Sequence, residues 1–256
     1  MSDAAPIVTL RSVGKAFATV TALERFDFAV REREFVSLLG PSGCGKSTAL
    51  RLIAGLAAPT SGAIEWRDGK KPERGALGFV FQEPTLMPWT SVAGNVELPL
   101  KLLGLDHSAA AQRVSTALEG VGLAEFARAY PRELSGGMKM RVSIARALAT
   151  APPLLLMDEP FAALDEITRF RLANDLLKLW QTLGKTVVFV THSVFESVFL
   201  SSRIVVMTPR PGRVFAEIPI DAPYPRAESF RTSPEYAAFC RRVSQALAQA
   251  MAGAAA

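Results

Sequence analysis

Hydrophobic positions along the chain fall into two alternating patterns. Short continuous apolar runs occur at Ile7–Leu10, Phe35–Leu39, Gly78–Phe81, Leu154–Asp158, Val187–Thr191 and Ile204–Met207. Several consist almost wholly of Val, Leu and Phe, as strands covered on both faces do. Between them apolar residues recur at helical spacing. From Asp165 to Leu183 the stripe is Leu172, Leu176, Leu179, Trp180 and Leu183. From Ser108 to Val121 it is Val114, Ala117, Leu118 and Val121, with Gly122 as the expected stop. Strands alternating with crossover helices predict an α/β fold.

Two regions depart from that alternation. Residues 83–134 hold helical patterns without a convincing strand, which predicts an inserted helical subdomain. After Met207 come Pro209, Pro211, Pro219, Pro223, Pro225 and Pro234. Proline at that density predicts a loop with edge strands, followed by a terminal helix from about Ser233 to Gln249. No internal repeat is visible.

Composition narrows the class. The 256 residues are 49% hydrophobic and 21% charged, enough for a full core and against wholesale disorder. Lys and Arg number 29 against 24 Asp and Glu, a net charge of +5 that favours anionic partners without choosing among them. Two cysteines, Cys44 and Cys240, exclude a disulfide scaffold and a thiolate metal cluster, and suit a reducing compartment. No run approaches the roughly 18 apolar residues of a membrane span. MSDAAPIVTL lacks the charged and apolar regions of an export signal. The expectation is a soluble, unexported protein whose tie to a membrane runs through a partner.

Candidate chemistry begins at Gly40-Pro41-Ser42-Gly43-Cys44-Gly45-Lys46-Ser47, a complete G-x-x-x-x-G-K-[ST] pattern. An apolar strand precedes it and a helix-like run, Thr48–Ala57, follows. The glycines let successive N–H groups turn toward phosphate oxygens at the positive end of the helix. Lys46 supplies a point charge for the β- and γ-phosphates and Ser47 a hydroxyl ligand for Mg²⁺. Cys44 reads as a small filler rather than a redox sensor. A second site closes the run Pro153–Met157, where Asp158 and Glu159 stand at a strand end, the place α/β sheets hold ligands. Asp158 is the candidate to hold Mg²⁺ through water, and Glu159 to take a proton from attacking water. His192 follows the strand Val187–Thr191 and belongs to the same sheet edge, within reach of a γ-phosphate. His107 sits beside Asp106 in a polar loop and reads as a solvated residue.

Between these sites lies Leu134-Ser135-Gly136-Gly137-Met138-Lys139-Met140-Arg141, opening a helix through Ala149. Together with the phosphate loop it resembles the ATP-binding cassette family, of which the LSGG run is the signature. The resemblance covers almost the whole chain, with the cassette at 7–242, its helical subdomain at 83–134 and a tail at 208–250. It implies a P-loop NTPase core: a mainly parallel sheet with flanking helices, an N-terminal antiparallel β region and an inserted α-helical subdomain. By the same resemblance Phe17 is the aromatic on which adenine stacks, with core packing as its other reading. Gln82 joins the core to the helical subdomain and contributes to the Mg²⁺ and catalytic set. Thr48 completes the nucleotide-binding loop. Asp165, in Ala163-Leu164-Asp165, reaches toward a partner cassette, and His192 is the switch histidine. Two cassettes, most simply a homodimer, face each other so that Ser135, Gly136 and Gly137 of one cap the γ-phosphate held by the other.

Finer details resemble the importer ATPases of the nitrate, sulfonate and taurine group. They are Glu83-Pro84-Thr85-Leu86-Met87-Pro88-Trp89, Val92-Ala93-Gly94-Asn95-Val96, Met138 in the signature, Arg210-Pro211-Gly212-Arg213 and Pro225-Arg226. That likeness implies ATP hydrolysis at the cytoplasmic face of the inner membrane. The partners it implies are permease subunits and, indirectly, a solute-binding protein. With little sequence after the tail helix, the expectation is a cassette without the added regulatory domain of sugar importers. Trp89 is placed near the groove for a permease coupling helix, or else packs inside the helical subdomain. An exporter cassette is the alternative, disfavoured by the Gln82–Trp89 run. A nucleic-acid ATPase is the other: the stretch from Lys46 to Asp158 leaves no room for a long coiled coil, there is a single phosphate loop, and the basic excess is modest. No nucleic acid is expected as a partner.

Overall fold

The computed structural model describes residues 6–253. Part of the N-terminal decapeptide and the last alanines lie outside the described residues. In chain order the elements are β1 (Pro6–Phe17), β2 (Val20–Arg31), β3 (Phe35–Leu39), α1 (Lys46–Ile53), β4 (Ser61–Trp66), β5 (Leu77–Val80), α2 (Val92–Leu102), α3 (His107–Gly120), α4 (Gly136–Leu148), β6 (Leu154–Asp158), α5 (Glu166–Leu183), β7 (Thr186–Thr191), α6 (Val194–Leu200), β8 (Arg203–Met207), β9 (Val214–Pro219) and α7 (Pro234–Ala252). They divide between two compact units, one comprising the segment up to Lys71 and that from Thr186 onward, the other Pro72–Lys185.

In the first unit β3 pairs in parallel with β7 on one side and β8 on the other, and β9 is antiparallel to β8. Every residue of β3, β7 and β8 is buried, which is why these strands are nearly continuous apolar runs. The core here gathers Phe26, Phe35, Phe189 and Phe199, and the Phe35 and Phe189 rings lie 5.8 Å apart. A separate antiparallel sheet has the order β2-β1-β4. This is the N-terminal antiparallel region, and it is larger than the run Ile7–Leu10 indicated. β2 and β4 were absent from the expected strands for a physical reason. β2 buries alternate residues such as Phe26, Phe28 and Val30, and β4 is mostly exposed, so neither makes an apolar run.

The proline-rich tail is anchored from within. Arg226, only 6% exposed, donates to the carbonyls of Val198, Phe199 and Ser201 at 2.9 Å and to Ile220 and Ala222 at 3.3 and 3.1 Å. A cation thus closes the negative end of α6, with the Tyr224 ring 4.1 Å from its guanidinium. Burial lowers the Arg226 pKa and raises that of Tyr224 to about 12. Tyr236 at the start of α7 donates to Phe195 O.

In the second unit β5 and β6 form a parallel pair, and α2 packs on α3 and α4. The strand-free stretch within 83–134 is helical as the pattern predicts, and Gly122, at φ +69°, lies just past the end of α3. The apolar stripe of α5 needs correction. Its buried positions are Leu172, Ala173, Leu176 and Leu177, whereas Leu183 is 41% exposed. The helix is ending there on Gly184 in the left-handed region, and Trp180 turns its indole N–H to Lys185 O at 2.7 Å. Similarly, α1 stops at Ile53, short of the expected Ala57, because Gly55 takes φ +71°.

Candidate functional site

The first unit supplies a phosphate-loop edge. Leu39 of β3 is aligned with Thr191 of β7, so the loop beginning at Gly40 and the residue His192 leave the carboxyl ends of neighbouring parallel strands. Gly43 and Gly45 take φ +76° and +104°, conformations closed to side chains without strain. Gly45 is the N-cap of α1 and brings no side chain to that helix's first amides. The other six α-helices among the described residues begin on a side chain that accepts from their own first turn: Ser91, Asp106, Ser135, Asp165, Ser193 and Ser233. The start of α1 is therefore the one shaped to receive acceptor oxygens from elsewhere.

Lys46, 3% exposed, donates to Gly40 O and Pro41 O at 2.8 and 3.0 Å. Ser47 and Thr48 follow it on the first turn of α1. Cys44 is buried, and a Cβ on Gly40 would lie 2.8 Å from its sulfur, so it fills the base of the loop. Phe17, at the end of β1, is 49% exposed, and the Lys15 ammonium lies 4.8 Å from its ring centre. It is a surface aromatic and not part of the core. His192 is exposed and framed by bonded neighbours: Thr191 Oγ1 accepts from Ser193 N at 3.0 Å and donates to Glu196 Oε2 at 2.5 Å. His107 is exposed, as expected, at 3.6 Å from Glu97, but it opens α3 and does not lie in a loop, because Asp106 caps the helix by accepting from Ala109 N.

The second unit has a strand-end edge of its own. Val80 of β5 is aligned with Met157 of β6, so Gln82 and the pair Asp158–Glu159 also leave neighbouring strand ends. Asp158 is 7% exposed and Glu159 takes φ +44°. For a non-glycine residue that conformation costs of order 1–3 kcal/mol, strain that tends to be kept where a side chain must be aimed. The LSGG run starts α4 on Ser135, whose Oγ accepts from Met138 N at 3.3 Å. Gly136 is exposed, while a Cβ on Gly137 would sit 2.6 Å from Thr168 Cγ2 of α5. Asp165 caps α5 by accepting from Thr168 N at 3.0 Å, and that bond holds its carboxyl below the usual range.

Some residues that shape these edges were not assigned a role from sequence. Arg146 on α4 donates to Pro84 O, Thr85 O and Thr85 Oγ1 and so braces the segment after Gln82, where Thr85 itself takes φ +47°. Burial lowers its pKa. Asn95, fully buried, accepts from Met87 N at 2.7 Å and donates to Met87 O, Thr90 O and Ser91 O. It thereby shapes the loop that presents Trp89, which at 77% exposure does not pack inside the helical subdomain. The visible signal for Asn95 was a lone amide inside an apolar helical run. Arg210 and Arg226 carry no chemical signal of their own in the sequence, because their partners are backbone carbonyls.

Each unit thus places its candidate residues at the carboxyl ends of its own parallel strands, as α/β nucleotide-binding proteins do. The chain belongs to the ABC transporter family, whose model matches residues 23–162, and it is an ATP-hydrolysing cassette of that family. It is 48% identical over 226 residues to the taurine import ATP-binding protein TauB of Rhizobium johnstonii, covering 86% of each chain. It is 44% identical over 242 residues to the nitrate import ATP-binding protein NrtD of Synechocystis, covering 92% of this chain and 91% of the relative. A dimeric ATP-binding cassette solved in a post-hydrolysis state with ADP and Pi is 36% identical. It superposes with a TM-score of 0.74 over 84% of this chain and 99% of its own.

Proposed function

We propose that the chain is the ATPase subunit of an importer, coupling ATP binding, closure of two copies and hydrolysis to uptake of a small solute of the nitrate, sulfonate or taurine type. The observation that carries the chemistry is the start of α1, alone among the α-helices of the described residues in having no side-chain cap, with Lys46 beside it. The relatives' names support the importer reading. Residues 7–242 act as the cassette, with 83–134 as its helical subdomain and 208–250 as its tail.

In this mechanism adenine stacks on Phe17, worth on the order of 1–3 kcal/mol by analogy with base stacking on aromatics. The amides of Gly40–Thr48 and the Lys46 ammonium hold the phosphates. Ser47, Gln82 and Asp158 would hold Mg²⁺ through their oxygens, Asp158 by way of water. They are hard ligands, and no cluster of three or more His, Cys, Asp or Glu able to cage a metal occurs among the described residues. That donor set suits an ion held mainly through phosphate and water. When bound, Mg²⁺ neutralises charge on the phosphates. Ser135, Gly136 and Gly137 of a second copy approach the γ-phosphate, with Asp165 at the same junction. Glu159 accepts the proton of the attacking water, Gln82 relays the nucleotide's state to the helical subdomain, and His192 keeps the γ-phosphate in line.

No helix among the described residues is long and apolar enough to cross a membrane. The proposal places the chain peripherally at the cytoplasmic face, held by permease subunits, with a solute-binding protein as an indirect partner. A groove of about 650 Å³, lined by Phe79, Phe81, Leu98, Pro99, Leu102 and Leu103, offers an amphipathic permease segment an apolar seat. The exposed Trp89 lies on the preceding loop of α2.

Replacing Glu159 with Gln removes the base and keeps the shape. Hydrolysis is expected to fall about 10²–10⁴-fold, while ATP still binds and closed dimers accumulate. Affinity capture of that variant from native membranes with ATP should bring down a multi-span permease. Wild-type hydrolysis would remove Glu159 from its role. A catch of nucleic acid or ribosomes would sink the importer.

A further inference from the structure

The phosphate loop has a neighbour that the proposed mechanism does not use. Strand β8 lies beside β3 in parallel, with Val206 aligned to Leu39, so the β8–β9 connection emerges at the edge where the phosphate loop begins. In that connection Arg210 points both Nε and Nη2 at one acceptor, Gly43 O, at 3.2 and 3.1 Å. Two residues on, Gly212 lies against the loop's backbone. A Cβ there would meet Cys44 O at 2.0 Å, and Leu23 Cδ2 and Met207 Cε at 3.1 Å. Gly212 is not among the positive-φ residues, so lack of space is what requires glycine here.

The connection is itself held on both sides. Gly212 N donates to Ala22 O at 2.9 Å and Gly212 O accepts from Glu24 N at 3.1 Å. Arg213 pairs with Glu24 at 2.6 Å, and Thr208 Oγ1 donates to Pro211 O and accepts from Arg213 N. It is thus a fixed surface against which the outward-facing side of the phosphate loop rests.

We propose that Arg210 and Gly212 form a positioning clamp for the phosphate loop, acting on Gly43 and Cys44 to hold the loop in its phosphate-receiving shape. The inference rests on the reading of residues 40–48 as an ATP site. Two physical effects follow from the clamp. A loop already ordered loses less freedom when phosphate binds. A guanidinium on the Gly43 carbonyl polarises the Gly43–Cys44 peptide and brings positive charge beside the anion without touching it. Both act on nucleotide binding, and neither acts on the water or on Glu159. Arg210 is therefore a positioning residue whose loss should show in affinity more than in turnover.

The experiment compares the full chain with Arg210→Ala, Arg210→Lys and Lys46→Ala. ATP affinity is measured by calorimetry, KM and kcat from phosphate release, and folding from thermal melting. For Arg210→Ala the dissociation constant and KM are expected to rise about five- to tenfold, the scale of one charge-assisted hydrogen bond at an exposed site. The kcat at saturating ATP should change less than about twofold. Arg210→Lys, which keeps the charge but loses the fork, should recover part of the affinity. ATP affinity of Arg210→Ala within twofold of wild type, or a loss confined to kcat, would overturn the clamp. A wild-type chain that binds ATP no better than Lys46→Ala would instead overturn the ATP site on which the clamp depends.

Discussion

Helices α1 and α4 both begin in a short run of glycine and serine, and both are proposed to meet phosphate, yet they are built differently. At α1 the N-cap is Gly45 at φ +104°, with no side chain to satisfy the first turn. At α4 the N-cap is Ser135 in extended conformation, with its hydroxyl already accepting from Met138 N. The α1 start is shaped by backbone packed on backbone: a Cβ on Gly45 would meet Ala22 O at 2.7 Å, and Gly212 and Arg210 press on the residues before it. The α4 start is shaped by a neighbouring helix, with Gly137 against Thr168 of α5. The difference suits two tasks. An unassisted helix start waits for a ligand and carries the affinity, whereas a self-capped one is stable before its ligand arrives and adds to a complex already formed.

That contrast can be broken at three points. The largest effect is expected at Lys46→Ala, where ATP affinity should fall by one to two orders of magnitude, roughly the worth of a lost charge-assisted bond. Unchanged affinity by calorimetry would remove the phosphate loop from its role. Gly137→Ala is next. The added methyl must displace Thr168, so ATP-driven self-association in the Glu159→Gln background should weaken about tenfold, while one chain's ATP affinity stays within about twofold. Sedimentation showing undiminished dimers would mean that the α4 start does not face the nucleotide. The smallest effect is at Ser135→Ala, where loss of the cap should cost about 1 kcal/mol and lower the melting temperature by about 2–4 °C. A calorimetric scan with no change would show that Ser135 does not stabilise α4 by capping it.

Legibility from sequence followed burial. β3, β6, β7 and β8 are buried throughout, so each reads as a nearly continuous apolar run whose bounds follow from sequence to within about one residue. β2 and β4 each have a face in water, and alternation over a few residues is easily lost among charges. The α5 stripe failed at its end because spacing alone does not mark where a helix leaves the core, and Leu183 stands at that exit. Trp89 illustrates a different limit. An aromatic in an apolar run reads equally as core or as surface until Asn95 is seen holding its loop outward.

The sequence by itself determined the chemistry of the two strand ends: the glycines that admit positive φ, Lys46 and Ser47 behind them, and Asp158 and Glu159 at the close of an apolar strand. Those features are local, since a few neighbouring residues decide which way an amide or a carboxylate can point. Only the tertiary structure decided what holds them there. Arg210 reaches Gly43 across 167 positions of chain, and Arg226 closes the end of α6 from 25 to 28 positions away. Neither arginine has a neighbour in sequence that announces its target. A guanidinium whose hydrogen bonds all go to backbone carbonyls offers no complementary side chain to search for, because any residue can supply a carbonyl and only the fold selects which one.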